Sequence, residues 1–291
     1  MSLFAFAFLE ISAIYIILAW GIYLPFRANQ AYVGAVYSMC MGAYFAGYVS
    51  RDLGWPFWLA IIGAAIFCML FSLIFAYNLA SLAGFPMMIG STALVFISQT
   101  VIVNLPFLGG PLGFYGVPFV PQNILLATTY GIVLVVGVLI YRLDQSYIGR
   151  AMDATRFDPR VAASLGIDVI KLSMQLQIMS SILGAVAGAL FAFTLGSVTI
   201  SSFGFPLVTF TMALVVVGGM NTMWGIVIAS PALFSISQFV PSVMKEFSYI
   251  IYAILLIVVL VIRPSGAIDR KTLRSITAFG RRLMKRHVSS S

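Results

Sequence analysis

Apolar residues occur along this chain in long runs, separated by charged residues or by clusters of proline and glycine. A helix needs about 20 mainly apolar residues to cross the hydrocarbon core of a membrane, and nine runs reach or approach that length. They comprise residues 3–24, 30–49, 56–79, 85–104, 123–141, 172–195, 204–219, 224–240 and 247–262. The pattern predicts an all-α fold, a polytopic transmembrane helical bundle.

Two features of these runs leave the number of spans open. The seventh and eighth runs are short and flank a Gly-Gly-Met-Asn sequence at 218–221, so either could be broken or re-entrant. The first run has no basic segment before it and no small-residue cleavage site after it, which favours a spanning helix over a signal peptide. We therefore expect eight to ten spans.

The positions of Lys and Arg predict the orientation, because basic loops stay in the cytoplasm. Basic residues are concentrated in 142–171 and after Arg263. Placing both segments inside puts the N-terminus outside, the C-terminus in the cytoplasm, and the self-neutralising Arg51-Asp52 pair in an outer loop. The predicted organisation is a transmembrane domain over 1–262, with a cytoplasmic insert at about 143–171, and a basic cytoplasmic tail over 263–291.

Composition supports a lipid environment. The chain is 62% hydrophobic and 8% charged, with a mean hydropathy of +1.07, whereas soluble domains carry about 25% charged residues. The net charge of +8 is explained by the basic cytoplasmic loops, so no nucleic-acid partner is predicted. We expect a multi-pass protein of the bacterial inner membrane, with the lipid bilayer as its surroundings.

Residues that carry covalent or metal chemistry are scarce. Cys40 and Cys68 lie inside apolar runs, and His287, the one histidine, is among the last five residues. Neither a catalytic centre, a metal site nor a cofactor is predicted. The chain has no G-x-x-x-x-G-K-[ST] phosphate loop, so any ATP that drives the protein is bound and hydrolysed by another chain.

The insert between the fifth and sixth runs predicts a short helix over about 159–165, roughly 10 Å long. Asp158 is a good N-cap, Pro159 suits the first helical position, and Gly166 suits the left-handed residue that follows a helix. Small residues and arginines would let another protein approach closely and pair its carboxylates. The alternative is an ordinary polar loop. The candidate docking residues are Arg150, Arg156, Asp158, Pro159, Arg160, Ala162, Ala163, Leu165 and Gly166.

Five stretches, taken together, resemble the branched-chain amino acid (LivM/LivH-type) ABC transporter permease family. The insert resembles its S-x-x-G-R-A-x-x-A-x-R-x-x-x-x-A-A-x-x-L-G-I motif, from Ser146 to Ile167. Residues 29–44 resemble a G-Q-x-S-x-G-H-x-x-x-x-G-x-G-A-Y motif, except that Tyr32 and Ala35 stand where the family has Ser and His. The other three are glycine-rich stretches at 109–118, 185–192 and 218–225.

The resemblance implies a permease subunit of an ATP-driven importer for branched-chain amino acids or related small amino-acid, amide or carboxylate solutes. Its implied partners are a second homologous permease subunit, two ATPase subunits and a periplasmic solute-binding protein. The insert would be the coupling helix that seats on an ATPase subunit. In this chain Phe157-Asp158-Pro159 replaces the family's usual acidic pair after Arg156. The side chains that contact the ATPase subunit here would therefore differ from those of the family.

The stretch at 29–44 is the element that we expect to line the solute path. The candidate path residues are Gln30, Tyr32, Gly34 and Tyr44 in that stretch, and Gln99 in the fourth run. Polar side chains in a membrane also tie helices together, and that alternative stays open for Gln30 and Gln99, whereas Gly184 and Gly188 are expected to serve helix packing. Two other functions remain: an ABC permease for a different solute, of sugar or urea type, and an ion-driven secondary transporter, for which Glu10 is the candidate carboxylate.

Overall fold

The computed structural model describes residues 3–82, 84–219 and 222–239. Ten helices make up almost all of this part, joined by 3₁₀ turns and one small pair of strands. The helices are α1 (Leu3–Arg27), α2 (Ala35–Asp52), α3 (Phe57–Ala80), α4 (Phe85–Val103), α5 (Gln122–Gln145), α6 (Tyr147–Phe157), α7 (Pro159–Ser164), α8 (Val169–Leu195), α9 (Phe205–Gly218) and α10 (Met223–Phe239). The strands are β1 (Phe114–Tyr115) and β2 (Ser197–Val198), and the 3₁₀ turns are Pro106–Leu108, Gly110–Leu112 and Ile200–Phe203.

Six helical segments in the described part of the chain are long and apolar enough to cross a membrane. They lie in α1, α3, α4, α5 and α8 and in the segment Ile200–Gly218, which includes α9. The predicted polytopic helical bundle is therefore confirmed. The eighth predicted run is the shorter α10, which contains Pro231, while the run at 247–262 and the tail at 263–291 lie outside the described residues.

The second predicted run differs from expectation at its start, because residues 30–34 are not helical and α2 begins at Ala35. Asn29 takes a left-handed conformation with φ 61°, which ends the α1 turn. Backbone N–H groups in this break have hydrogen-bond partners: Gln30 N donates to Pro25 O at 3.0 Å, and Val33 N donates to Ser91 Oγ of α4 at 3.2 Å. Buried backbone groups outside a helix require such partners within the protein.

Helix α8 is the centre of the bundle and packs on α1, α2 and α3. Its contact with α2 is close because glycines on each helix face backbone atoms of the other. A Cβ placed on Gly184 or on Gly188 would overlap the carbonyl oxygen of Ala35 or of Met39, respectively, and one on Gly42 would lie 2.6 Å from Ala185 O. The expected packing role of Gly184 and Gly188 is confirmed.

A compact cap closes the end of the bundle that carries β1 and β2. These strands pair antiparallel, with Phe114 opposite Val198 and Tyr115 opposite Ser197. Arg51 holds the cap to α2: its Nη1 donates to Tyr115 O at 3.0 Å, and its guanidinium lies 3.8 Å from the centre of the Phe114 ring. The predicted Arg51–Asp52 pair is present at 2.9 Å. We call this end the capped end and the opposite one, where α6 and α7 lie, the basic end.

Candidate functional site

The insert at the basic end is a chain of capped helices. Ser146 caps α6 by accepting from Ile148 N at 3.2 Å, and Asp158 caps α7 by accepting from Arg160 N at 2.8 Å. Gly166 follows α7 with φ +84°, and Asp168 then caps α8 by accepting from Lys171 N at 2.9 Å. The short helix predicted near 159–165 is present as Pro159–Ser164, and side-chain caps fix both ends of the insert.

Helix α6 was not predicted as a separate element. It is amphipathic, and its buried residues include Gly149, Ala151 and Met152. Gly149 is required because a Cβ there would overlap Asp144 O. The signal available in the sequence was Ser146 as an N-cap, followed by eleven residues without proline.

The candidate docking residues divide into a buried set and an exposed set. Ala162 is 1% exposed, so its side chain packs within the chain, while Ala163 and Arg160 are exposed. The large apolar side chains Phe157, Val161 and Leu165 are 90%, 55% and 74% exposed. We call these three residues the apolar patch of the insert; the sequence reasoning had singled out only Leu165 among them. Of the remaining candidates, Arg150, Asp158, Pro159 and Gly166 are exposed and Arg156 is half-buried.

A buried arginine fixes the insert to the bundle. Arg27, the last residue of α1, is 1% exposed and contacts the carboxylates of Asp144 in α5 and Asp153 in α6. Its Nη2 lies 3.3 Å from both oxygens of Asp153, and Tyr23 donates a hydrogen bond to Asp144 at 3.3 Å. Charge pairs thus join the ends of α1 and α5 to the middle of α6. These positions are partly buried, where such pairs are screened less than on a surface.

A cavity of about 490 Å³ lies between this insert and the bundle. Its walls are the break between α1 and α2, the turn between α3 and α4, the end of α6, and the start of α8. The polar lining residues are Asn29, Gln30, Ser81, Thr155, Arg156 and Ser173. Gln30 Nε2 donates to Ser173 Oγ, but Gln30 Oε1 is buried and accepts no hydrogen bond from the described chain.

The five candidate path residues are not brought together. Gln30 lines the cavity, while Tyr32 and Gly34 are buried within the chain, with the Tyr32 ring lying over Gly34. Tyr44 and Gln99 belong to the capped end, where Tyr44 Oη donates to Val198 O at 3.2 Å and Gln99 Nε2 donates to Ile200 O at 3.4 Å. In this conformation Tyr44 and Gln99 tie elements together.

A stripe of polar side chains extends from the cavity into the bundle along α8. Ser173, Gln177, Ser180 and Ser181 recur at helical spacing and are fully buried or nearly so. Ser181 Oγ is hydrogen-bonded to Tyr37 Oη at 3.0 Å. Both amide atoms of Gln177 and the hydroxyl of Ser180 find no hydrogen-bond partner among the described residues. Leaving a buried polar group without a partner costs about 1–3 kcal/mol. The four residues therefore form a buried polar stripe on α8 that packing alone does not explain.

Three of the spanning helices leave most of their surface uncovered. Only 33%, 33% and 28% of the apolar windows of α3, α4 and α5 are buried, against 72% for α1 and 61% for α8. Within the described residues, no group of three His, Cys, Asp or Glu side chains could hold a metal ion. The described geometry thus comprises a capped helical insert, a cavity beside it and an apolar outer face.

The model of a known family, described as "Branched-chain amino acid transport system / permease component", matches residues 4–260. The permease protein LivM of Salmonella typhimurium is 30% identical over 156 residues, which cover 53% of this chain and 36% of that protein. A probable LivM from Methanocaldococcus jannaschii is 27% identical over 208 residues, 61% of this chain and 59% of the relative. The chain thus spans less than two thirds of each relative.

Among solved structures, PsaBC from Streptococcus pneumoniae, determined in complex with a Fab, is similar with a TM-score of 0.47 and 14% identity. That match covers 87% of this chain and 88% of the other.

Proposed function

Because the chain belongs to the permease family of branched-chain amino acid transport systems, we propose that it is the membrane-spanning permease subunit of an ATP-driven importer. The solutes proposed are branched-chain amino acids or related small amino-acid, amide or carboxylate compounds. A periplasmic binding protein delivers the solute to the capped end. The chain itself forms and breaks no covalent bond.

The partners proposed are a second homologous permease subunit and two ATPase subunits, which bind the ATP. The largely uncovered faces of α3, α4 and α5 provide the area that a second permease and the lipid would cover. Gln30 belongs to the proposed solute path, since it lines the cavity at the basic end. Tyr32, Gly34, Tyr44 and Gln99 remain candidates for a different conformation of the same path.

The observation that carries this proposal is the docking insert. A short helix with a side-chain cap lies beside the exposed apolar patch of the insert (Phe157, Val161 and Leu165), which we propose contacts an ATPase subunit. Arg27 binds the insert to the ends of α1 and α5. In this proposal a displacement of α7 reaches the spanning helices through two sets of contacts. One is the packing of α7 on α6 and α8, and the other is the ion pairs of Arg27. Arg150, Arg156 and Arg160 offer donors to carboxylates of the ATPase.

Leu165→Glu tests the proposal. Burying a leucine side chain in an interface contributes about 1.5–3 kcal/mol, and each 1.4 kcal/mol is tenfold in affinity. We expect co-purification of the ATPase subunits and ATP-driven uptake both to fall by roughly tenfold or more, with the amount of inserted permease unchanged. Leu112→Glu makes the same change at an 82% exposed position of the capped end and should leave ATPase co-purification intact. Normal ATPase association of the Leu165 variant would contradict the proposal.

Orientation has its own prediction. Because basic loops stay in the cytoplasm, a cysteine placed at Ser164 should react with a membrane-impermeant maleimide in inside-out vesicles and not in spheroplasts. Leu112→Cys should show the opposite pattern. The native Cys40 and Cys68 are buried and give little background. Labelling of the Ser164 variant from outside would reverse the topology.

A further inference from the structure

Exposed apolar side chains line part of the cavity at the basic end. Phe85 at the start of α4 and Ile170 at the start of α8 belong to its lining, and both are exposed. The turn between α3 and α4, which contributes Ser81 and Leu82 to the lining, joins two helices that are long enough to span a membrane. Such a turn lies at the membrane surface. Lipid headgroups, and the first part of their acyl chains, therefore lie beside this cavity.

The start of α4 gives the cavity a preference for anions. A helix leaves the N–H groups of its first turn without partners inside the helix, and a helix start attracts phosphate and other anions. Gly84 precedes α4, makes no side-chain cap there, and lines the cavity. Arg156 already interacts within the chain, but its positive charge belongs to the same lining. The neighbouring carboxylates of Asp158 and Asp168 each cap a helix and are not among the lining residues.

Gln30 adds a requirement that a phosphodiester alone does not meet. The residue lines the cavity, is 7% exposed, and donates from Nε2 to Ser173 Oγ. Its Oε1 is buried and accepts no hydrogen bond from the described chain. This oxygen can only accept, and a buried acceptor without a partner is unfavourable. A ligand that completes the cavity therefore carries a hydrogen-bond donor as well as a phosphate.

We propose that this cavity binds the headgroup of a phospholipid from the leaflet at the basic end, one with a hydrogen-bond donor beyond its phosphate, as in phosphatidylethanolamine. The phosphate lies at the start of α4, and the ammonium donates to Gln30 Oε1. The acyl chains leave the cavity past Phe85 and Ile170. The site goes beyond the proposed transport function and does not depend on which solute is carried.

The bound lipid would connect the insert to the membrane. Pro159, the first residue of α7, lines the cavity together with Ser81 and Leu82 of the turn between α3 and α4. A headgroup in the cavity contacts both. It therefore adds a link between the insert and the spanning helices to the ion pairs of Arg27.

Lipid binding to the full-length chain, purified in detergent and stripped of lipid, tests the site by native mass spectrometry. The probe is phosphatidylethanolamine. Phosphatidylcholine has the same phosphate but no N–H donor, diacylglycerol has the same acyl chains without a headgroup, and inorganic phosphate has no acyl chains. We expect one phosphatidylethanolamine per chain to bind at least about tenfold more tightly than phosphatidylcholine, which cannot donate to Gln30. Diacylglycerol should bind more weakly still, and an excess of inorganic phosphate should not displace the lipid.

Two variants locate the binding. Gln30→Leu removes the acceptor, so phosphatidylethanolamine and phosphatidylcholine should then bind alike. Ile170→Asp places a negative charge at an exposed lining position and should weaken phosphatidylethanolamine binding severalfold. Ser164→Asp is the control, because it places the same charge at an exposed position of α7 outside the lining, and it should leave lipid binding unchanged.

Three results would each overturn the proposal. They are equal binding of the two phospholipids to the unaltered chain, displacement of the lipid by inorganic phosphate, which would indicate a site for free phosphate, and lipid binding that neither Gln30→Leu nor Ile170→Asp changes. The comparison of the two phospholipids uses the unaltered chain, so it decides the question even if Gln30→Leu fails to fold.

Discussion

Gly188→Ala is expected to destabilise the folded bundle strongly, although it adds one methyl group. The new Cβ would overlap Met39 O of α2 and lie 2.9 Å from Ala43 N. These are backbone atoms, so no side chain can rotate away and the two central helices have to separate. Overpacking a tight core costs about 1–3 kcal/mol, and more when the backbone must shift. The measurement is the midpoint of thermal aggregation of the detergent-solubilised protein, together with the fraction recovered as a monodisperse peak.

Gly131→Ala is the matched control, because a Cβ at Gly131 in α5 meets no atom within 4 Å. The same chemical change there should be neutral or should stabilise by up to about 1 kcal/mol, since alanine is the better helix former. Equal loss of stability in the two variants would mean that any glycine is needed for helix flexibility, and that the close contact between α2 and α8 is not the cause.

The cluster of Arg27, Asp144 and Asp153 is expected to show an asymmetric response to charge removal. Arg27 is 1% exposed, whereas the side chains of Asp144 and Asp153 are 18% and 37% exposed. The double variant Asp144→Asn/Asp153→Asn leaves a buried guanidinium without a counter-charge, which costs about 3–5 kcal/mol. Arg27→Met leaves carboxylates that water can still reach, so its effect should be smaller. The triple variant Arg27→Met/Asp144→Asn/Asp153→Asn should recover part of the stability lost in the double variant, because it leaves no charge unpaired.

Thermal stability of the purified variants gives this order directly. The exposed Arg51–Asp52 pair is the control, with both side chains more than a third exposed. Exposed pairs contribute about 0–1 kcal/mol, so Asp52→Asn should change stability little. If Arg27→Met lowered thermal stability as much as the double variant does, burial of the Arg27 guanidinium would not be the cause of the difference between the variants. If a variant kept normal stability but associated less with the ATPase, the cluster of Arg27, Asp144 and Asp153 would also be shown to position α7.

The insert illustrates how much of the site could be predicted. Helix α7 was predicted within one residue because its signals are local: Asp158, Pro159 and Gly166 act on the backbone beside them. Which of its side chains face outward was not predictable. Ala162 is buried and Val161 exposed because α7 packs against both α6 and α8, and its orientation depends on those contacts.

The cavity shows the opposite case. Gln30 was identified as a polar residue in an apolar run, but nothing nearby in the sequence indicates Ser173, its partner 143 positions away. Arg27 likewise meets Asp153 across 126 positions. Tyr44 was grouped with Gln30 because both lie in one motif, yet Tyr44 bonds to Val198 at the capped end, because α2 carries it along the bundle away from the break.

The sequence by itself determined that this protein spans a membrane as a helical bundle, where the short helix α7 begins and ends, and where charge accumulates. These properties follow from transfer of apolar residues to lipid and from capping, which act over a turn or two of chain. Only the tertiary structure decided that α2 starts late, that Arg27 is buried among carboxylates, and that Gln30 and Arg156 face one cavity. Those results depend on contacts between helices distant in sequence, and such contacts are set by how the whole bundle packs.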